Sequence, residues 1–291
     1  MDDNWYVRTT DPGTMYGLGY QAGLRDGNAG YQALIILDFG AQTTDGSTSI
    51  ETVTFASLTN FQIRDLAQEF ALGYVRGGGF NLYLGIGTNN SRSPDQGTYG
   101  AYGTMWNTTV VTPIRSWMSA QGYNKWIQVE GANDIESWSG SGPGVHPTDD
   151  WAYGYSNAGG SVYYDFGSAD GCPLGTYDNR TGCAYGYAQA DYYGLSWGVP
   201  AAYAVPEIYY YCTYCEWAMI SGYGQYYTST GGIYFTGPLD DHYLDSSAYI
   251  PSDAWSLLWN TLYNDLIPAN MIYETEMHCV GPYPTACTRT G

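Results

Sequence analysis

Short apolar runs alternate with amphipathic stretches along most of the chain. Residues 33–40 (ALIILDFG) are apolar at nearly every position, which is typical of a strand buried on both faces of a parallel sheet. Residues 58–75 carry apolar side chains at helical spacing after Ser57, a predicted N-cap. A strand at 80–88 and a helix at 105–120 continue the alternation. Strands and helices that alternate in this way indicate an α/β protein with a parallel sheet.

The second half of the chain continues the alternation with weaker signals. We predict strands at 126–133, 161–168, 193–199 and 233–236, helices at 149–156 and at 254–264 with Ser252 as the cap, and either helix or strand at 217–223. No repeat, linker or glycine-rich phosphate-binding loop interrupts the pattern, so a single (β/α)8 barrel with long loops is favoured over an open nucleotide-binding sheet. We expect one domain over 1–291, with residues 1–30 as an N-terminal extension and 265–291 as a disulfide-closed C-terminal tail.

Acidic and amide residues recur where the predicted strands end. They are Asp38, Asn89, Asp134, Glu136 and Asp165, with Asp170 in a following loop and Glu207 near a later strand. Working residues of a barrel enzyme lie at the carboxyl ends of its strands. Asp134 and Glu136 are two positions apart, so both could share one face if the strand continues past Asn133. The alternative is that Asp134 caps a turn and Glu136 is a solvated loop residue.

Two facing carboxylates are sufficient for cleavage of a glycosidic bond, one as the acid and one as the base or nucleophile. This chemistry requires Glu136 to lie within about 5–10 Å of a second carboxylate and to be partly buried. Trp138 and Trp197 could stack on sugar rings, and Asn89 could contact a sugar hydroxyl. For most of the 32 tyrosines, the simpler interpretation is that they cover the surface.

The charge balance excludes two classes of partner. The chain has 9 basic and 28 acidic residues, a formal net charge of −19, and Lys125 is its one lysine. A nucleic-acid binder needs clustered cations, and an anionic membrane surface repels an acidic protein. No apolar run reaches the 18 or so residues of a membrane span. The 44% apolar and 17% aromatic content argues against disorder, while the low charged fraction of 13% favours an extracellular protein.

Six cysteines form three pairs of neighbours in the sequence: Cys172 with Cys183, Cys212 with Cys215, and Cys279 with Cys287. Their even number and short spacings indicate local disulfides and an oxidising compartment, although 15 connectivities are possible. A zinc site would need further ligands, and a thioredoxin-like role would need the C-x-x-C motif at the start of a helix rather than in an aromatic run. We therefore predict structural disulfides, no metal and no cofactor. Residues 1–3 lack the features of a signal peptide, which favours a mature secreted form.

Four segments carry a resemblance to a known group of proteins. The chain resembles secreted glycoside-hydrolase-like barrel proteins of soil bacteria, of actinobacterial and Chloroflexi types, at residues 129–136, 164–172, 196–202 and 206–209. The likeness covers residues from about 15 to 264 and implies a barrel fold and secretion.

A looser similarity is to lysozyme-type muramidases that carry a D-x-E motif after a middle strand. The similarity implies that Glu136 is the acid and that Asp134 assists it. Residues 225–231 and 239–241 are similar to late segments of that group, which adds Gln225 to the predicted substrate contacts, and Asp38 is similar to its early-strand aspartate.

Together these features predict a secreted glycoside hydrolase that acts on a polysaccharide or cell-wall glycan. Glu136 is its expected acid, and Asp134, Asp38 or Asp165 is the expected partner. The alternative is a non-catalytic extracellular carbohydrate-binding or matrix protein, which the abundance of tyrosine and glycine and the near absence of lysine favour. Neither hypothesis predicts an oligomeric state, and both exclude nucleic acid and membrane insertion.

Overall fold

Eight parallel strands provide the framework of the computed structural model, which describes residues 2–30, 32–42, 48–49, 57–89, 99–136, 147–169, 171–175, 177, 182–267, 271 and 273–280. The strands are β1 (Asp2–Val7), β2 (Ala33–Gln42), β3 (Thr48–Ser49), β4 (Ser57–Leu58), β5 (Leu82–Asn89), β6 (Ile127–Asp134), β7 (Tyr163–Asp165), β8 (Ala202–Ala204), β9 (Leu239–Asp240) and β10 (Thr275–Val280). All are parallel barrel strands except β3 and β4, which form an antiparallel ribbon at the end of β2.

The sheet closes on itself to form a barrel. Its order is β8-β7-β6-β5-β2-β1-β10-β9, and a parallel bridge from Glu207 to Leu239 joins the two ends. Around this bridge the Ile208 amide donates to the Leu239 carbonyl and the Leu239 amide to the Pro206 carbonyl, both at 2.8 Å. These bonds confirm the predicted single (β/α)8 barrel.

Helices alternate with these strands along the chain. They are α1 (Pro12–Ala29), α2 (Asn60–Arg76), α3 (Tyr99–Met105), α4 (Thr112–Gln121), α5 (Pro147–Ala158), α6 (Gln189–Tyr193), α7 (Thr213–Tyr227) and α8 (Pro251–Asn264), with π-helical turns at Trp106–Val111 and Gly194–Gly198 and a 3₁₀ turn at Ala184–Gly186. At the start of α2, Thr59 and Gln62 form a capping box. The cap therefore lies two residues after the predicted Ser57.

The two ends of the described chain contribute barrel strands. Strand β1 pairs in parallel with β2 on one side and with β10 on the other. We expected residues 1–30 to form an extension, but they contain the first barrel strand and the first helix. Residues 265–291, which we expected to form a tail, contain the last barrel strand. Neither strand has a continuous apolar run, because polar residues such as Asn4 and Glu276 are buried there.

Two other predicted strands are absent. Residues 193–199 lie at the end of α6 and in the π-helical turn that follows, and the adjacent strand is the shorter β8. Residues 233–236 are extended without being assigned to a strand, although the Thr236 amide donates to the Ala204 carbonyl at 2.8 Å. Apolar runs this short fit helix and strand equally well, and the tertiary contacts decide between them.

The core has two layers. Alternate residues of each strand face the barrel interior, where Leu34 and Ile36 of β2 pack with Tyr164 and Met277. Ile35 and Leu37 face the helices and belong to the larger outer core. The period of two along a strand thus separates the interior of the barrel from the layer under the helices.

Glycines bring pairs of helices into backbone contact. A Cβ atom at Gly19 or Gly23 of α1 would overlap the carbonyl oxygen of Phe70 or Tyr74 in α2, and a Cβ at Gly73 of α2 would overlap that of Tyr16. Regularly spaced glycines on both helices therefore let their backbones touch. This contact accounts for part of the high glycine content.

Two of the predicted disulfides are present. Cys172 is bonded to Cys183, and Cys212 to Cys215. The Cys279 side chain and Cys287 lie outside the described residues. Cys212 is the residue immediately before α7, so the C-x-x-C motif does begin a helix, contrary to our expectation. Among the described helices, none has the length and hydropathy needed to cross a membrane.

Candidate functional site

Three carboxylates converge at the carboxyl end of the barrel. Asp134 is the last residue of β6, Glu136 lies two positions further along the chain, and Glu207 forms the bridge to β9 that follows β8. One carboxyl oxygen of each residue lies within 4.8 Å of those of the other two. We call these three residues the carboxylate cluster. Glu136 is partly buried, and Glu207 is almost completely buried. Glu136 therefore has both the partial burial and the nearby second carboxylate that acid and base catalysis requires.

A close backbone approach holds Glu136 in place. Gly167, just after β7, lies so close to the Ile135 carbonyl that a Cβ atom at this position would overlap it. The approach places Ser168 beside the end of β6, where its hydroxyl donates to Glu136 Oε1 at 2.9 Å. The side chain of Glu136 is thus fixed by a loop that only glycine permits.

The surroundings of the carboxylate cluster favour the protonated form of Asp134. The pKa of Asp134 is raised well above its ordinary value, first because the group is buried and then because the negative charges of Glu136, Glu207, Asp38 and Asp165 surround it. Ionised carboxylates at such short distances repel one another, which favours protonation of one member of the cluster. Glu207 accepts a hydrogen bond from the Tyr209 hydroxyl at 2.6 Å, which fixes the orientation of its side chain.

Asp38 lies beside the carboxylate cluster and is held by fixed donors. Its carboxylate accepts a hydrogen bond from the Gly40 amide at 2.8 Å and from Asn89 Nδ2 at 3.3 Å. The buried guanidinium of Arg8 is 3.9 Å from Asp38 Oδ2. Asp38 therefore has its own counter-charge, and Asn89, which we expected to contact substrate, holds this aspartate.

Asp165 is close to the carboxylate cluster but points to the other side of the sheet. Tyr164, its neighbour in β7, packs in the barrel interior, whereas Tyr163 packs in the outer core. The carboxylate accepts hydrogen bonds from the Ser196 hydroxyl and, at 3.4 Å, from the Gly167 amide. Burial raises the pKa of Asp165 to about 7. The strand period thus places it under the helices rather than at the mouth of the barrel.

The predicted aromatic and amide contacts do not join the carboxylate cluster. Trp197 precedes β8 and packs on Tyr203 and Tyr234, with ring centroids 6.0 and 5.5 Å away. It lies at the opposite end of the barrel from Glu136. Gln225 accepts a hydrogen bond from the Gly232 amide at 3.2 Å and stabilises the chain after α7. Trp138 and Asp170 lie outside the described residues.

The late acidic segment that resembles the muramidases also lies apart from the carboxylate cluster. Asp240 is buried, pairs in register with Glu276 of β10, and has a pKa raised to about 8, first by burial. The charges that act on it belong to Glu276 and Asp241 rather than to Asp134. The structure therefore does not place Asp240 beside Glu136.

Glu207 is the residue that sequence reasoning does not pair with Asp134. It follows β8, which has three residues, whereas we expected a strand at 193–199. The available signal is the apolar run 201–205 (AAYAV), which ends two positions before Glu207.

The geometry allows two kinds of chemistry. Three oxygen ligands within 4.8 Å of one another are a set that could hold a divalent cation. The same groups could share a proton and serve as acid and base or nucleophile.

Comparisons with known proteins assign no family to the chain. No protein-family model matches the chain, and neither does any curated protein. Among solved structures, the apo form of the homocysteine methyltransferase MmuM from Escherichia coli is similar with a TM-score of 0.45 and 10% identity, over 98% of this chain and 93% of that chain. A likeness this distant says nothing about chemistry.

Proposed function

We propose that this protein is a secreted glycoside hydrolase whose carboxylate cluster cleaves a polysaccharide or cell-wall glycan. The observation that carries the proposal is the convergence of Asp134, Glu136 and Glu207 within 4.8 Å, with the pKa of Asp134 raised. A glycosidase needs one carboxyl group that keeps its proton and one that loses it, a few ångströms apart. The raised pKa of Asp134 favours a proton among the three groups, and Glu136 and Glu207 lie close enough to act as the two reacting carboxyl groups.

The roles follow from burial and hydrogen bonding. Glu136 is the most suitable group to protonate the leaving oxygen, because Ser168 fixes its orientation and Asp134 shares a proton with it. Glu207, whose orientation the Tyr209 hydroxyl fixes, is the nucleophile. Asp134 is a positioning residue that holds the proton for Glu136. Asp38, ion-paired with Arg8, adds negative charge near the developing positive charge of the sugar.

The composition supports an extracellular location. Disulfides persist in oxidising compartments, and two are present among the described residues. The low fraction of charged residues and the resemblance to secreted barrel proteins point in the same direction.

The test is a screen of polysaccharides and peptidoglycan with wild type, Glu136→Gln and Glu69→Gln. Glu69 lies on α2, away from the carboxylate cluster, and serves as the matched control. We expect Glu136→Gln to lower the rate by about 10²–10⁴-fold and Glu69→Gln to leave it unchanged. Turnover that is equal in wild type and Glu136→Gln, or absent from both, would refute the proposal.

A chelator separates the two kinds of chemistry that the cluster allows. Acid and base catalysis by carboxyl groups requires no bound ion, so EDTA should leave the wild-type rate unchanged. Loss of activity with EDTA that is restored by a divalent cation would assign the carboxylate cluster to a metal instead.

A second candidate is an extracellular carbohydrate-binding protein without catalytic activity. It is favoured by aromatic rings that lie far from the carboxylate cluster, around Trp197, Tyr203 and Tyr234. Glycan binding by wild type, without hydrolysis and without change in Glu136→Gln, would support this function.

A further inference from the structure

A cavity of about 310 Å³ opens at the end of the barrel opposite to the carboxylate cluster. The residues around it lie where the parallel strands begin: Tyr83 is the second residue of β5, Gln128 the second of β6, and Tyr203 the second of β8. Asp134 and Glu207, in contrast, lie where β6 and β8 end. The cavity is therefore separate from the site proposed for catalysis.

The lining of this cavity carries no charge. Its side chains are aromatic, aliphatic, amide or hydroxyl-bearing, in a chain whose formal net charge is −19. A charged ligand would find no counter-charge in the lining and would lose hydration on entry. The volume is at the lower end of the range for small-molecule sites, roughly 300–1,000 Å³. The cavity therefore fits a small neutral ligand.

Aromatic rings form both the floor and the rim of the cavity. Tyr164 and Tyr273 are 5% exposed and form the floor, whereas Tyr203 and Tyr234 are 41% and 44% exposed and form part of the rim. Trp197 contacts both rim tyrosines and limits their movement. Rings held in this way offer flat apolar faces at low entropic cost.

Polar groups between the rings distinguish a sugar from a purely apolar ligand. The amides of Gln32 and Gln128 and the hydroxyl of Thr236 also line the cavity. Gln128 already donates through Nε2 to the buried Glu130 carboxylate at 2.7 Å. An apolar ligand would cover the remaining polar atoms of these groups without satisfying them, which costs free energy. A pyranose ring presents C–H faces to the tyrosines and hydroxyls to the amides.

We propose that the amino-terminal mouth of the barrel is a binding site for one neutral pyranose unit of a glycan. The site does not depend on the hydrolytic activity proposed above, because its residues and those of the carboxylate cluster lie at opposite ends of the barrel. It holds the glycan and takes no part in bond cleavage.

The test measures binding of methyl glycosides of glucose, galactose, mannose and N-acetylglucosamine by saturation-transfer NMR and calorimetry. The variants are Tyr203→Ala with Tyr234→Ala, Tyr203→Phe, and the control Tyr263→Ala, an exposed tyrosine on α8. We expect at least one glycoside to bind wild type. The double variant should bind it at least tenfold more weakly, and Tyr203→Phe and Tyr263→Ala should bind it like wild type.

Two further measurements make the result independent of folding and of catalysis. The double variant should unfold cooperatively, with a midpoint only moderately below that of wild type, since both side chains are partly exposed although they pack on Trp197. Glu136→Gln should bind the glycoside as tightly as wild type does. The proposal is overturned if no glycoside binds, if the double variant binds as tightly as wild type, or if indole binds in the cavity and the glycosides do not.

Discussion

Asp134 and Glu207 bring carboxyl oxygens within 4.8 Å of each other although their strands, β6 and β8, are separated in the sheet by β7. Two strand spacings in a flat sheet amount to about 9.5 Å between backbones. The curvature of the barrel turns both side chains inward and shortens this distance. The carboxylate cluster is thus a consequence of barrel closure, and the bridge from Glu207 to Leu239 performs that closure.

The stereochemical outcome of hydrolysis follows from the separation of the carboxyl groups. Oxygens of Glu136 and Glu207 lie within 4.8 Å, close to the 5–5.5 Å or so of retaining enzymes and shorter than the 6.5–9.5 Å or so of inverting ones. We expect the first product to keep the anomeric configuration of the substrate. Proton NMR of the early reaction, before mutarotation, measures it. An inverted product would mean that a more distant carboxylate is the base and that Glu207 is not the nucleophile.

Buried acids make the stability of the fold dependent on pH. Burial raises the pKa of Asp165 and Asp149 to about 7 and that of Asp240 to about 8, from an ordinary value of 3.8. A group whose pKa is higher in the folded state binds a proton on folding, so its stabilising effect is complete below about pH 4 and is lost as the pH rises through about 7 or 8. We expect the midpoint of thermal unfolding to fall between about pH 5 and pH 8.

Asp165→Asn tests the contribution of one of these groups. Asparagine stays neutral, so the variant should gain stability relative to wild type as the pH rises from about 5 to 8. Asp253→Asn, at an exposed position on α8, should show the same pH dependence as wild type. Calorimetry at several pH values measures both. A constant difference between Asp165→Asn and wild type would mean that Asp165 is ionised throughout this range.

The sequence predicts the positions of the long strands and the residues at their ends, but it does not predict the bounds and side-chain directions of the short strands. Strand β2 has a continuous apolar run, β5 has a nearly continuous one, and β6 alternates apolar residues with Gln128 and Glu130, so their positions and the acids at the ends of β2 and β6 are predictable. The pattern misplaces Asp165 at the mouth because β7 has only three residues, too few to show which face each side chain takes. It misplaces Trp197 because the predicted strand 193–199 is helical, and the barrel strand begins after it. Alternate residues of a strand face opposite sides of the sheet, and the pairing with neighbouring strands determines which of them face the barrel interior.

The two disulfides should differ in their contribution to stability. The entropic model gives about 3 kcal/mol for Cys172 and Cys183, which are 11 positions apart, and about 1.5 kcal/mol for Cys212 and Cys215, which are three positions apart. We expect the pair of substitutions Cys172→Ala and Cys183→Ala to lower the free energy of unfolding more than Cys212→Ala with Cys215→Ala. Urea unfolding of both double variants measures the difference. Equal losses would show that packing around the sulfur atoms, rather than loop length, sets the contribution.

Backbone contact between α1 and α2 makes Gly23 sensitive to the smallest side chain. A Cβ atom there would overlap the Tyr74 carbonyl oxygen, so Gly23→Ala requires the two helices to move apart and should cost about 1–3 kcal/mol. Gly17 is on the same helix, and no neighbouring atom lies within 4 Å of the place that its Cβ would occupy. Gly17→Ala should therefore stabilise the protein by about 0.5–1 kcal/mol, since alanine favours helix. Urea unfolding of the two variants measures effects of opposite sign. If Gly23→Ala were as stable as Gly17→Ala, the two helices would not be in backbone contact.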